Sequence, residues 1–412
     1  MEKLKFGRYD AACFSSFTGY AMCSLSIPIT LVAMGKELNF PLDRGGMAAG
    51  GVLHLIRSIS IVAALMICGL IAGRIGKRRS MGMCMLCMGT GILLCSLAPS
   101  YAWLLPCLLL AGFGEGICEG MATPFVQDLH SDAPERYVNI AHSFWSIGIG
   151  ICVLGAGGLL TLGVSWRVIM GGIGLLAAMT SVLFLWKENP QKKYPEQPSA
   201  SDLPEIWHLT GNIFRTPRFW LHCLAMFMGA GAEFCLTFWA AAYLQLTFQA
   251  SAWIAGLGTA AIALGMFVGR NIFGYIARED NLLRILFCAA SATIPLTLLL
   301  AFVTPEFLPS RTLLFLLLTV LLVLCGIGIA PYWPTLQVYS VRNMPELDST
   351  LMYIYLSAVG IPGCGFFTWL VGVLGNRFGL QGAFFLLPVT LAGYILVLCF
   401  DRQFHKKNRP PV

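Results

Sequence analysis

The sequence predicts an all-α integral membrane fold of about twelve transmembrane helices in two pseudo-symmetric six-helix bundles, on three observations. The 412 residues are 57% hydrophobic and 11% charged, where soluble domains carry roughly 25% charged residues. The apolar residues fall into about twelve runs, each near the roughly 20 residues that cross a bilayer. One long polar stretch, KENPQKKYPEQPSASDLPEIWHLTGNIFRTPR, separates the first six runs from the last six.

The first six spans are expected at 10–34, 45–72, 80–99, 102–129, 139–162 and 166–186. The last six are expected at 218–246, 251–277, 282–303, 311–340, 348–374 and 379–400. Domains follow as an N-terminal bundle over 1–187, a cytoplasmic linker over 188–216 and a C-terminal bundle over 217–412. Proline, serine and mixed charges mark the linker, with room for some amphipathic helix. The second run ends in GLIAGRIG (69–76) and the eighth in GRNIFGYIARED (269–280), matching places in the two halves. Such repetition is a transporter design, with the binding site where the repeats meet.

Lysine and arginine set the orientation. Lys3, Lys5 and Arg8 precede the first run, GRIGKRR (73–79) follows the second, and RQFHKK follows the twelfth. Both termini are therefore expected in the cytoplasm, with the chain a multi-pass protein of the cell membrane. The formal net charge of +7 is explained by these loop clusters and carries no nucleic-acid signal. The 15 cysteines all fall in apolar stretches and read as small packing residues. Cys84 and Cys87 form a CxxC, but inside a continuous apolar run. Glycines seven residues apart, in GIGICVLGAGG (148–158) and GCGFFTWLVG (363–372), read as sites of close helix packing.

Five charged residues lie well inside the runs, away from their ends: Arg57, Glu115, Glu119, Glu233 and Arg270, with His54, His142 and His222 as weaker candidates. A charge at the bilayer centre costs about 2.5–3.5 kcal/mol on insertion scales and signals function. Glu115 and Glu119 sit one helical turn apart in GFGEGICEGMATPF (112–125), so both carboxyls share a face. Two carboxylates so close in low dielectric do not both ionise readily, and one holds a proton near neutral pH. A proton carrier needs that property. Glu119 is the expected carrier, with Glu115 and Arg57 tuning it. A static Arg–Glu bridge that only locks the fold is the competing reading, and Arg57 as the binding group for an anionic substrate is a third.

Aromatic and polar groups supply candidate substrate contacts. Glu233, Trp239 and Tyr243 lie in GAGAEFCLTFWAAAYL (229–244); a carboxylate accepts from hydroxyls while an indole stacks on a sugar face. His142 and Trp145 repeat the theme in NIAHSFWSIG (139–148). In GIGIAPYWPTLQVYS (326–340), Pro331 and Pro334 break the helical ladder near Tyr332 and Gln337. Arg74 and Arg270 are expected to act as gating or structural groups at helix ends. HExxH, GxSxG and a catalytically spaced aspartate pair are absent from the sequence, so an enzyme is not expected, nor a cofactor or metal. A receptor that binds without transporting is the remaining non-transporter class.

The six–linker–six plan and GLIAGRIGKRR resemble the major facilitator superfamily, although Gly73 stands where that family's helix 2–3 loop places an acid. CEGMATPF (118–125) is similar to the fourth helix of the fucose-permease-like sugar–proton symporters, with Glu119, Pro124 and Phe125 matching and Thr123 replacing an asparagine. MFVGRNIFG (266–274) and GIAPYWPTL resemble that branch's eighth and tenth helices, with Arg270 on the matching arginine. The resemblance implies proton-coupled symport of a monosaccharide or sugar derivative by alternating access, acting as a monomer on a small-molecule substrate. The fucose carrier has an acid in its first helix, whereas CFSSFTGYAMCSLSIPITLVAM (13–34) has none. That departure leaves open an organic-anion carrier using Arg57, or a facilitative uniporter.

Overall fold

The structure, a computed structural model, describes residues 6–130, 134–187, 193–195, 203–278 and 280–407. The described residues form helices and no strand. In chain order these are α1 (Arg8–Glu37), α2 (Met47–Ile75), α3 (Lys77–Ser96), α4 (Tyr101–Leu129), α5 (Pro134–Thr161), α6 (Trp166–Leu185) and α7 (Leu203–Phe214). The remainder are α8 (Pro217–Thr247), α9 (Ala252–Ile276), α10 (Leu282–Phe302), α11 (Arg311–Ile329), α12 (Pro334–Arg342), α13 (Ser349–Ala383) and α14 (Leu386–Lys407).

Twelve stretches among the described residues are long and apolar enough to cross a membrane. The fold is thus all-α with twelve candidate spans. α7 falls outside that set: it lies in the polar stretch, with Trp207 exposed and Ile213 buried. α11 and α12 together form one crossing, Arg311–Arg342, broken at residues 330–333. Pro334 occupies the first turn of α12, where a helix has no use for the missing N–H. Local signals set other helix starts. Asp348 accepts from Leu351 N at 2.8 Å ahead of α13, and Pro217 opens α8.

Two compact units emerge. The first comprises Met1–Pro41, Ile56–Ala200 and Ser251–Gly256; the second comprises Leu42–Leu55, Ser201–Ala250 and Leu257–Val412. The units therefore interleave in sequence at two short stretches, 42–55 and 251–256. In the first unit α1 packs on α5 and α6, and α3 on α4 and α6; in the second α8 packs on α13 and α14. Small residues set these approaches. A β-carbon on Gly148 would sit 2.6 Å from the Thr18 carbonyl oxygen, so α5 reaches α1 only with glycine there.

Candidate functional site

The first unit places a buried ionic cluster at mid-helix. Glu115 lies halfway along the 29-residue α4 and is 0% exposed. Gly112, one turn earlier, lets α2 approach: a β-carbon there would stand 2.6 Å from the Arg57 carbonyl oxygen. Arg57 is 1% exposed, and its Nε lies 3.6 Å from Glu115 Oε2. The guanidinium donates to the Ser24 carbonyl from Nη1 and to Ser24 Oγ from Nη2, both at 3.0 Å.

Ser24 was not among the sequence candidates, although its signal was present. Pro28, inside α1, has no N–H to give the carbonyl four residues earlier, which is that of Ser24. The freed acceptor is the one that Arg57 takes. Arg57 is thus held by directional bonds, whereas neither Glu115 oxygen accepts a hydrogen bond. A long ion pair to Arg57 holds this acid.

Glu119 sits one turn further along α4 and is half-buried. The Tyr20 hydroxyl donates to its Oε2 at 3.4 Å, a long contact. The Tyr20 ring stands edge-on to Trp145, with centroids 4.4 Å apart. Thr123 Oγ1 and His142 Nε2 are 3.0 Å apart, and His142 tilts against Phe17. The first unit therefore brings Glu119, Tyr20, Trp145, Thr123 and His142 together on α1, α4 and α5. Tyr20 and Thr123 join the sequence candidates only through the fold.

Arg74 is exposed at the end of α2. Its neighbours make the ties at this end: Lys77 Nζ lies 2.7 Å from Asp128 Oδ2, and Arg78 donates to the Phe184 carbonyl. The Tyr194 hydroxyl donates to Asp128 Oδ2 at 2.9 Å, and its ring stacks on Phe125.

In the second unit Glu233 and Arg270 form a pair, with Arg270 Nη2 donating to Glu233 Oε1 at 3.2 Å. Glu233 Oε2 and Arg270 Nε make no hydrogen bond, so the pair is half-satisfied. The aromatic candidates lie elsewhere. Trp239 is 0% exposed and donates its indole N–H to the Thr368 carbonyl at 2.9 Å. The Tyr243 hydroxyl donates to the Leu300 carbonyl, with the ring stacked on Phe384. Tyr332 is fully buried against Tyr394. Gln337 is half-buried and donates to Ser357 Oγ at 2.9 Å. Of the residues proposed from the sequence in this half, the structure brings together Glu233 and Arg270. The pairing gives Arg270 a partner within the helix bundle, where the sequence suggested a group at a helix end. His54, placed with the second unit, stacks on Phe234 at 4.2 Å. Among the described residues no group of three or more potential ligands could hold a metal ion.

The sequence profile of the Major Facilitator Superfamily matches residues 12–364, from α1 into α13. The chain belongs to the major facilitator superfamily. No curated protein matches it by sequence. Solved structures share its fold at low identity. A bacterial homologue of the human lysosomal transporter Spinster, inward-facing and unoccupied, superposes with a TM-score of 0.72 at 15% identity, covering 99% of this chain and 100% of that one. The Escherichia coli fucose:proton symporter gives 0.63 at 17%, covering 95% and 98%. A D-xylose–proton symporter gives 0.70 at 11%, covering 94% and 97%. At these identities the likeness concerns the fold. This superfamily member is accordingly a multi-pass membrane protein with a transporter architecture.

Proposed function

We propose that this superfamily member is a proton-coupled symporter of a small polar solute such as a monosaccharide, working by alternating access in the cytoplasmic membrane with both termini in the cytoplasm. The observation that carries the reading is the contrast between Arg57, anchored on Ser24, and Glu115, buried beside it without a hydrogen bond. A buried carboxylate in that setting leans on one long ion pair, and protonation releases it with little rearrangement. Glu119, one turn away and more accessible, carries the proton between the aqueous side and this pair. Tyr20 positions Glu119 through its hydroxyl.

The candidate substrate contacts are Trp145 and His142, within the first unit, and, taken separately, Glu233 and Gln337 within the second. Trp239, Tyr243 and Tyr332 are not needed, because their rings are packed and two have polar atoms on backbone carbonyls. Arg57 already has Ser24 and Glu115 as partners, which favours a neutral solute over an organic anion held by that arginine. The fucose and xylose symporters of similar fold support the sugar class.

The test is uptake into proteoliposomes containing a pH-reporting dye. A panel of neutral hexoses and pentoses, D-xylose and L-fucose included, is added with and without an imposed proton gradient. Symport gives net proton entry when the transported sugar is added, and Glu119→Gln removes proton entry while leaving sugar counterflow. Sugar movement with no proton entry identifies a uniporter. Movement of sugar acids alone, lost on Arg57→Ala, identifies the anion carrier.

A further inference from the structure

A cluster at the start of α8 holds a buried histidine whose hydrogen bonds admit two protonation states. His222, in the second turn of α8, is 2% exposed. Its Nε2 lies 3.0 Å from Asp401 Oδ1 and its Nδ1 lies 2.7 Å from Ser340 Oγ. Asp401 on α14 is 1% exposed and receives three further bonds. Arg218 donates from Nε to Oδ1 at 2.7 Å and from Nη2 to Oδ2 at 3.1 Å, and the Tyr339 hydroxyl donates to Oδ2 at 2.5 Å. A carboxyl gripped on both oxygens by a guanidinium is ionised and only accepts. His222 Nε2 therefore carries a hydrogen.

Ser340 decides the state of Nδ1. Its hydroxyl has one hydrogen, and the Leu336 carbonyl lies 2.7 Å away. Pointed at Leu336, the hydroxyl offers the ring only lone pairs, so Nδ1 is also protonated and the ring is an imidazolium. Turned toward the ring, the hydroxyl donates to Nδ1, and the imidazole is neutral with its hydrogen on Nε2. No heavy atom moves between the two arrangements, and the ring keeps both partners in each. Arg218 and Asp401 cancel, so the cluster carries a net +1 in the first state and 0 in the second.

Arg218 on α8, Tyr339 on α12 and Asp401 on α14 are the titratable groups in this cluster. Tyr394, also on α14, is fully buried with its ring against Tyr332. Tyr355 of α13 is bonded to Thr210 of α7 at 2.6 Å, and His208 of α7 is exposed. Arg311 of α11 reaches the Phe248 carbonyl beyond the other end of α8. Arg218, at the start of α8, is half-buried.

We propose that His222 is a proton-binding site of the second unit, gaining and losing a proton at Nδ1 as the Ser340 hydroxyl turns between the Leu336 carbonyl and the ring. The bond that breaks is Nδ1–H, on the Ser340 side of the ring, and the proton is released to solvent. This site is separate from the acids of the first unit proposed above as the coupling groups, and it stands whether or not they couple transport.

The test uses the full chain in lipid nanodiscs with ¹⁵N-labelled histidine, read by solid-state NMR between pH 5 and 9. The His222 signals are assigned by their loss in His222→Gln, or, where that variant does not fold, as the ring signals displaced in Ser340→Ala. The expected result is hydrogen on Nε2 at every pH and hydrogen on Nδ1 gained reversibly in acid. Ser340→Ala should displace the midpoint by about one pH unit, the size of one hydrogen bond. Glu119→Gln should leave it in place, so the site survives failure of the coupling proposal. An Nδ1 locked in one state from pH 5 to 9, a bare Nε2, or a midpoint indifferent to Ser340→Ala overturns the proposal.

Discussion

Replacing Arg57 by methionine tests how the buried cluster of the first unit is held together. The side chain is 1% exposed, so methionine fills a comparable apolar volume and the loss is chiefly polar. Two charge-assisted bonds to Ser24 disappear, each 3.0 Å long. Such bonds contribute about 1.5–3 kcal/mol apiece. Glu115 then loses the partner 3.6 Å away and becomes an orphaned buried carboxylate. Breaking a buried pair from one side costs about 3–5 kcal/mol, and Arg57→Met should fall in that range. Glu115→Gln should cost less than about 1.5 kcal/mol, because neither glutamate oxygen accepts a hydrogen bond and Arg57 keeps Ser24. The double variant should recover part of the Arg57→Met loss by removing the orphan. Unfolding free energies in mixed micelles, by steric trapping, give all three values. The Arg57→Met deficit should also shrink between pH 8 and pH 5, since acid neutralises the orphaned carboxylate. Equal costs for the two single variants, or a deficit indifferent to pH, would show that the pair is a symmetric lock and remove the physical basis for its proton role.

Pro28→Ala restores an N–H that competes with Arg57 for the Ser24 carbonyl; melting temperature should hold or rise while proton-driven sugar accumulation drops about tenfold, one hydrogen bond's worth. Unchanged accumulation would show that Arg57 does not need that carbonyl. Asp401→Ala removes the acceptor of bonds from Arg218, His222 and Tyr339, and should destabilise the chain by about 3–5 kcal/mol in the same micelle assay. A loss below 1 kcal/mol, on the order of a surface pair, would mean that the cluster is solvated. Gly148→Leu should abolish folded protein on size-exclusion chromatography, since even a β-carbon meets the Thr18 carbonyl at 2.6 Å; a monodisperse, stable variant would show that α5 does not pack there. Tyr20→Phe removes the hydroxyl 3.4 Å from Glu119 and should alter the pH profile of sugar uptake more than its half-saturation; the reverse pattern would make Tyr20 a substrate contact.

Composition and periodicity determined the membrane class, the approximate spans and the presence of costly charges, because a bilayer punishes polar groups regardless of what surrounds them. The break near Pro331 and Pro334 was legible for the same local reason: proline removes a helical donor wherever it stands. The pairing of charges was not legible. Arg57 meets Glu115, and Arg270 meets Glu233, through rotations of separate helices that spacing along one helix cannot report. Ser24 shows the boundary most clearly. Its freed carbonyl is written in the sequence by Pro28, but which donor claims it depends on how α2 comes to lie beside α1. The burial of Trp239 and Tyr243 was likewise decided by Thr368 and Leu300, over a hundred and over fifty residues away in the chain, whose carbonyls take their hydrogens. Chemistry intrinsic to a residue is fixed by its identity; the partner that satisfies or neutralises it exists only once distant helices have packed.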